Sequence, residues 1–254
     1  MLNAARRYLR FVKLGLKGAV DLVGSPRRKL YGPITDVLTS EKIVALTFDD
    51  GPHPVYTPRL LNVLQHYRAT ATFFMLGGAA HAHPEVVEIV AKAGHALGNH
   101  SYSHCDFRLA TRSRRREEIL ECSKSLHRYE SKIFRPPYGS ENMGSHFDAR
   151  NMGYAVVKWN IAVGDWEQIS GVEIARRIVQ QIKPGAIVLL HDSIAKNPQS
   201  DRSSTIEAVE RLLEVTRGEY TYCSIPELFR FGRPRTSFRS IKQARAPRQD
   251  LTAT

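Results

Sequence analysis

Residues 42–54, KIVALTFDDGPHP, decide how the rest of the chain is read. Residues 42–48 form an almost continuous apolar run, with the length and branched side chains of a strand buried on both faces. Two adjacent carboxylates, Asp49 and Asp50, stand at its end and are followed by Gly51-Pro52. Neighbouring aspartates repel one another and favour neither a strand nor a helix. Either they shape a turn, for which Asp-Gly and Gly-Pro are common chemistry, or a positive charge sits among them and their neighbours.

The alternation continues downstream. Residues 57–67 read as a helix, 71–76 as a second strand, and 84–93 as a helix with Pro84 suited to its first turn. A short strand over 95–98 leads into GNHSYSH, and the Arg/Glu-rich residues 113–129 read as a long exposed helix. Residues 132–135 run into PPYG, 142–152 read as a helix, 154–161 as a strand and 172–182 as a helix. A strand over 186–190 ends at His191-Asp192, and residues 204–215 read as a further helix. Continuous apolar strands separated by helices imply a parallel sheet covered on both faces, either a barrel or an open doubly wound sheet. No GxGxxG follows the first strand, which weakens a dinucleotide-binding reading, and no 20–50-residue repeat suggests a solenoid. Asp49-Asp50, His100, Arg135, Asp165 and His191 each follow the C-terminal end of an expected strand. Barrel enzymes collect their catalytic groups there.

With 254 residues and 42% hydrophobic content, the chain can build one substantial packed domain. No run approaches 18 uninterrupted apolar residues, so no membrane-spanning helix is expected. Cys105, Cys122 and Cys223 are too few and too scattered for a disulfide framework or a thiolate zinc site. The net charge of +12 lies at the ends. Residues 1–30 hold eight Lys or Arg against one acid and residues 230–254 seven against one, which leaves 22 basic and 23 acidic residues between them. A near-neutral middle argues against nucleic acid as a partner. At the N-terminus, Leu2, Ala5, Leu9, Val12, Leu16, Ala19 and Val23 recur at helical spacing, flanked by Arg6, Arg10, Lys13 and Lys17. Lys13, Lys17 and Asp21 interrupt any secretory apolar core. The expectation is an uncleaved basic amphipathic helix, lying on an anionic membrane or on the domain itself. A cytoplasmic or inner-membrane-face location follows from the same reading.

The spacing of His100 and His104 lets two imidazoles converge on one ion, and two imidazoles with one carboxylate form a common zinc ligand set that leaves a position for water. Alone, this spacing is weak, as is Asp-Asp-Gly-Pro. Together they are stronger, because a cation bound by one aspartate and both histidines offsets the repulsion between Asp49 and Asp50. The remaining carboxylate would then stand free beside the metal.

TFDDGP at 47–52, HSYSH at 100–104, RPPY at 135–138, GDW at 164–166 and IVLLH at 187–191 resemble the five motifs of the NodB-homology polysaccharide deacetylases, carbohydrate esterase family four. The motifs stand in family order, and the resemblance covers roughly residues 40–229. It implies a distorted (β/α) barrel of seven parallel strands and removal of N-acetyl groups from an N-acetylated glycan. Asp50, His100 and His104 would hold a divalent metal, Zn2+ or another such as Co2+. Asp49 would be the general base, held by Arg135, and His191 the general acid, tuned by Asp165. The Tyr138 backbone N–H would help stabilise the oxyanion, while Trp166 and Leu189 would line the pocket for the acetyl methyl. The resemblance divides the chain into a basic extension (1–39), a deacetylase domain (40–229) and a basic, disordered tail (230–254). One departure stands out: the fourth motif of the family commonly begins with an aspartate where this chain has Ala162, which bears on groove shape or substrate preference. Rival readings are hydrolysis of a non-sugar amide, a cyclic imide or an O-acetyl ester, and a catalytically silent glycan-binding barrel.

Overall fold

The computed structural model describes residues 32–237. Strand β2 (Ile43–Asp49) is the axis of the sheet and is buried along its whole length. Seven strands run in the order β6 (Ala155–Val156), β5 (Glu130–Phe134), β4 (Ala96–Asn99), β3 (Thr72–Met75), β2, β8 (Ile187–His191) and β7 (Ile161–Ala162). Every pairing along this path is parallel. A further short strand, β9 (Thr221–Tyr222), pairs with the start of β2. The result is the curled, barrel-like sheet that the motif pattern implies.

Helices α1 (Tyr56–His66), α2 (Gly77–Ala82), α3 (Pro84–Lys92), α4 (Arg112–Leu126), α5 (Met143–Asn151), α6 (Gly171–Val179), α7 (Ser203–Val215) and α8 (Ile225–Leu228) connect the strands. Side-chain alternation along β2 explains where the polar residues go. Val44, Leu46 and Phe48 point outward into the layer shared with Leu60, Leu64 and Val209 of the helices. Ile43 and Ala45 point inward, among Phe74, Trp159 and Leu189. Thr47 and Asp49 continue the inward set, so the same periodicity that builds the core delivers a hydroxyl and a carboxylate to its C-terminal rim. Truncating the fully buried Phe48 to Ala should cost about 3–5 kcal/mol.

Three expectations change. Residues 154–161 do not form one strand: the run divides into β6 and β7, with Lys158, Trp159 and Asn160 crossing from one edge of the sheet to the other. Helix α4 is not simply exposed, because Glu118, Ile119, Cys122 and Leu126 make a buried stripe on its inner face. Residues that the motif pattern assigned to the extension and the tail also form a two-stranded antiparallel ribbon, β1 (Ile34–Leu38) with β10 (Arg233–Thr236). Buried Asp36 pairs with Arg235 across it. The ribbon joins the two edge regions of the sheet, since Lys158 N–H donates to Ile34 O and Val37 N–H to Gly185 O. The expected N-terminal amphipathic helix and the remainder of the tail lie outside the described residues. Among the described residues no helix is long and apolar enough to cross a membrane.

Candidate active site

Asp49 is the last residue of β2, and the parallel register sets it directly beside His191, the last residue of β8. Neighbours in register project to the same side of a parallel sheet, so the rim brings together a carboxylate and an imidazole 142 positions apart in sequence. Arg135 follows β5 and is fully buried. Its Nη1 donates to Asp49 Oδ1 at 2.6 Å and to Thr47 Oγ1 at 2.8 Å, while Nη2 donates to Lys158 O at 2.8 Å. The guanidinium lies between the rings of Phe74, 4.0 Å away, and Trp159, 5.4 Å away. Burial pulls this group below its usual range and Asp49 opposes the change. A buried cation with this many fixed partners is a rigid mount for the carboxylate it grips.

The second carboxylate faces elsewhere. Asp50 has φ 73°, and this left-handed step turns its side chain away from that of Asp49. Its Oδ1 lies 3.4 Å from His100 Nε2 and 3.2 Å from His104 Nε2, while Oδ2 accepts the Ala195 N–H at 2.9 Å. Burial alone would raise the Asp50 carboxyl, but the two imidazoles hold it well below the usual carboxylate range. One ligand atom from each of Asp50, His100 and His104 lies within 4.8 Å of the others.

The His100 tautomer makes this cluster informative. Its Nδ1 is 2.8 Å from Arg135 O, a carbonyl that can only accept, so Nδ1 carries the hydrogen. In the neutral ring Nε2 then presents a lone pair to Asp50 Oδ1, itself buried and without a hydrogen-bond partner. Lone pairs aimed at one another under burial are not tolerated, so positive charge must stand between them. It comes either as protons on the imidazoles, which hold Asp50 low, or as a bound cation in their place. Two imidazoles and a carboxylate suit zinc and its first-row neighbours, so the residues present fit a divalent metal. Cys105 turns instead toward the apolar cluster of Phe107 and Phe134, and burial pushes its thiol up to about 11.

On the other side, His191 Nδ1 donates to Asp165 Oδ1 at 2.9 Å and its backbone N–H donates to Oδ2 at 2.8 Å. Burial works to lower the imidazole, but Asp165 first, then Asp50 and Asp49, outweigh it and raise His191 to about 9. Asp165 is buried, which would raise its carboxyl, yet His191 and Arg202 hold it low. Trp166 stands edge-on to His191, with ring centroids 5.4 Å apart. Leu189 and Trp166 share the inner apolar cluster with Ala162, whose register partner in β8 is Leu189. The aspartate common elsewhere at position 162 would be buried in that cluster, and here the position is apolar. Tyr138 is left-handed (φ 60°, ψ 10°), and its half-exposed ring stands edge-on to His104 at 4.3 Å.

The catalytic, binding and metal-ligating residues expected from the five motifs therefore lie together at or just beneath this rim. Three supporting residues escaped that reading. Arg202, at the start of α7, donates to Asp165 Oδ2 and O and to Thr205 Oγ1. In the sequence it is one arginine in a polar loop, and nothing marks it as buried. Thr47 could have been found, since it lies two residues before Asp49 on the same strand face. Asp192 is buried beneath the Asp49–Gly51 turn, accepts a hydrogen bond from Thr57 and leaves Oδ1 unpartnered. Burial raises its carboxyl to about 7, and Asp50 and Asp49 add to the rise. A side chain at Gly51 would run into this carboxyl, with its Cβ 2.3 Å from Asp192 Oδ2.

The chain is similar to proteins of known family. A family model described as polysaccharide deacetylase matches residues 36–157. A peptidoglycan-N-acetylglucosamine deacetylase of Bacillus cereus is 36% identical over 201 residues, covering 77% of this chain and 92% of its own length. A chitooligosaccharide deacetylase of Sinorhizobium fredii is 33% identical over 184 residues, 69% of this chain and 86% of its own. A solved peptidoglycan N-acetylglucosamine deacetylase in complex with 4-naphthalen-1-yl-N-oxidanyl-benzamide superposes with a TM-score of 0.72 at 27% identity, covering 79% of this chain and 94% of that one. The chain belongs to the polysaccharide deacetylase family, the NodB-homology group of carbohydrate esterases, and is a hydrolase of that class.

Proposed function

We infer that this chain is a metal-dependent N-deacetylase acting on N-acetylated amino sugars of an oligo- or polysaccharide. The observation that carries this reading is the register pairing of Asp49 with His191 beside the converging Asp50, His100 and His104. Asp50, His100 and His104 would hold the ion, Zn2+ or a neighbour such as Co2+. When bound, it would polarise the amide carbonyl and make water a competent nucleophile near neutral pH.

The remaining work belongs to the side chains. Asp49, held by Arg135, which Thr47 braces in turn, would take the proton from the attacking water. The Tyr138 N–H would donate to the developing oxyanion, a role worth roughly 3–4 kcal/mol per well-aimed donor. An amine is a poor leaving group until protonated, and His191, kept cationic by Asp165, would supply that proton. Trp166 and Leu189, with Ala162 beside them, would receive the acetyl methyl. A silent glycan-binding barrel has no use for a mounted base and a raised acid beside a metal site, which favours an enzyme. The basic termini would contact an anionic membrane or polymer, at the inner membrane face or in the cytoplasm.

The test is acetate release from chitooligosaccharides, peptidoglycan fragments, O-acetylated xylan and simple cyclic imides, with metal stripped and restored. The reading expects metal-dependent release from at least one N-acetylated glycan. Turnover confined to xylan or imides would move the assignment to the rival chemistry, and release unaffected by stripping the metal would refute the ligand set.

A further inference from the structure

His104 is carried by no regular element. The loop that holds it, residues 101–104, contains two non-glycine residues in the left-handed region, Ser101 (φ 68°) and His104 (φ 60°). Such a backbone persists only where its surroundings over-determine it. Here four successive N–H groups are satisfied by side chains. Ser101 N–H donates to Asn99 Oδ1 at 3.0 Å and His104 N–H to Ser101 Oγ at 3.1 Å. The two between them, of Tyr102 and Ser103, both donate to Glu118 Oε2, at 2.8 and 2.7 Å. Glu118 Oε1 accepts the Ser103 hydroxyl at 2.6 Å and pairs with Arg114 at 2.6 Å. From the other side, Gly77 and Gly78 N–H donate to the carbonyls of Ser101 and Tyr102.

Two consecutive N–H groups converging on one oxygen form a small anion-binding nest, and bonds to an ionised acceptor are about twice as strong as neutral ones. Glu118 is 1% exposed on the inner face of α4. It takes both N–H groups between Ser101 and His104, while Gly77 and Gly78 take two carbonyls of the same stretch. We propose that Glu118 is a positioning residue for the metal site: its carboxylate holds the loop in the ligating conformation before the ion arrives. The proposal rests on the reading of Asp50, His100 and His104 as ligands.

The experiment compares wild type with Glu118→Ala, Glu118→Gln and Arg114→Ala. Zinc affinity is measured by competition with a chromophoric chelator, and amide exchange is followed in the metal-free proteins. Glu118→Ala should bind zinc about 10–100-fold more weakly, as expected for loss of a group that orients ligands. It should also speed exchange at Tyr102 and Ser103 while leaving the β2 and β4 amides protected. Glu118→Gln keeps an oxygen for both N–H groups without the charge, so it should fall between, at about a threefold to tenfold loss. Arg114→Ala removes only the half-exposed partner of Glu118 and should stay within about twofold of wild type. Wild-type affinity and exchange in Glu118→Ala would overturn the proposal. Faster exchange spread evenly over the sheet would also overturn it, since that is a merely structural effect. If Glu118→Ala does not fold, Glu118→Gln decides: wild-type values in both measurements overturn the proposal. Absence of zinc binding by the wild type would instead sink the ligand reading, while exchange at Tyr102 and Ser103 still tests the grip of Glu118 on the loop.

Discussion

Replacing Asp165 by Asn tests the proposed acid at the atom on which it depends. His191 stands at about 9 because Asp165, and after it Asp50 and Asp49, overcome the effect of burial. Against an ordinary histidine near 6.5, the difference corresponds to about 3 kcal/mol in favour of the imidazolium. Asp165→Asn removes the largest favourable charge and leaves the burial, so His191 should fall to about 6.5 or below. A group that must be protonated to act loses activity as pH rises through its pKa. From about 9, the protonated fraction at pH 8 would drop from about nine-tenths to about three-hundredths, so roughly 30-fold is the upper bound on the loss of kcat/KM on amides. A divalent cation beside Asp50 would cancel the share of the rise that Asp49 and Asp50 supply. The upper limb for the metal-loaded wild type therefore lies below 9, but its displacement in the variant remains. The assay is the pH profile of kcat/KM on a soluble N-acetylated oligosaccharide and on an activated aryl acetate, whose leaving group needs no proton. The amide limb should move to lower pH while the ester rate at pH 8 changes far less. An unmoved limb, or equal losses on both substrates, would refute proton donation by His191.

Further expectations follow from the same geometry. Asp49→Asn should lower turnover by about 10²–10⁴ with metal retained, whereas Asp50→Asn should weaken metal binding itself; metal analysis showing the reverse would exchange their roles. Asp192 holds its proton up to about 7 in the folded state, against an ordinary value of 3.8, so the native form binds a proton that the unfolded chain has lost. Stability should fall as pH rises across that window, and Asp192→Asn should flatten the fall and gain about 1–4 kcal/mol at pH 8, read by urea unfolding. Deleting residues 230–254 removes β10 and its pairing with β1, and should lower Tm by several degrees. Deleting only 238–254 should leave Tm unchanged, and equal effects would show that the ribbon contributes nothing. Loss of residues 1–30 should weaken sedimentation with anionic liposomes at low salt, and unchanged binding would remove the membrane reading.

Strand ends were legible in the sequence because buried parallel strands read as apolar runs and chemistry-bearing residues interrupt them at one end. Asp49, His100, Arg135 and His191 were visible for that reason, and alternation along β2 accounts for Thr47. The crossing at Lys158–Asn160 was not visible, since YAVVKWNI has the composition of one strand and only the tertiary path divides it. Arg202 and Glu118 were hidden for a different reason. Each is a charged residue in a charged neighbourhood, and its burial depends on a partner more than a dozen positions away, Asp165 for Arg202 and the Tyr102–Ser103 backbone for Glu118. The β1–β10 ribbon pairs residues about 200 apart, so its short polar strands carry no local signature of their partner.

Four non-glycine residues around the site, Asp50, Ser101, His104 and Tyr138, hold left-handed backbone. At about 1–3 kcal/mol each, they jointly withhold an amount comparable to the whole stability margin of an ordinary domain, about 5–15 kcal/mol. Glycine would relieve all four, yet at Asp50 and His104 it would delete a proposed ligand. The rim therefore cannot drift toward its most stable sequence. Substitutions that let such an enzyme withstand higher temperature are expected outside the proposed chemistry, in the helices, on the outer face of the sheet and at Asp192. Glycine at Ser101 would delete the hydroxyl that accepts the His104 N–H. In a set of thermostable variants selected for retained activity, Tyr138, whose proposed role belongs to its backbone, is therefore the one of these four positions where glycine could be found.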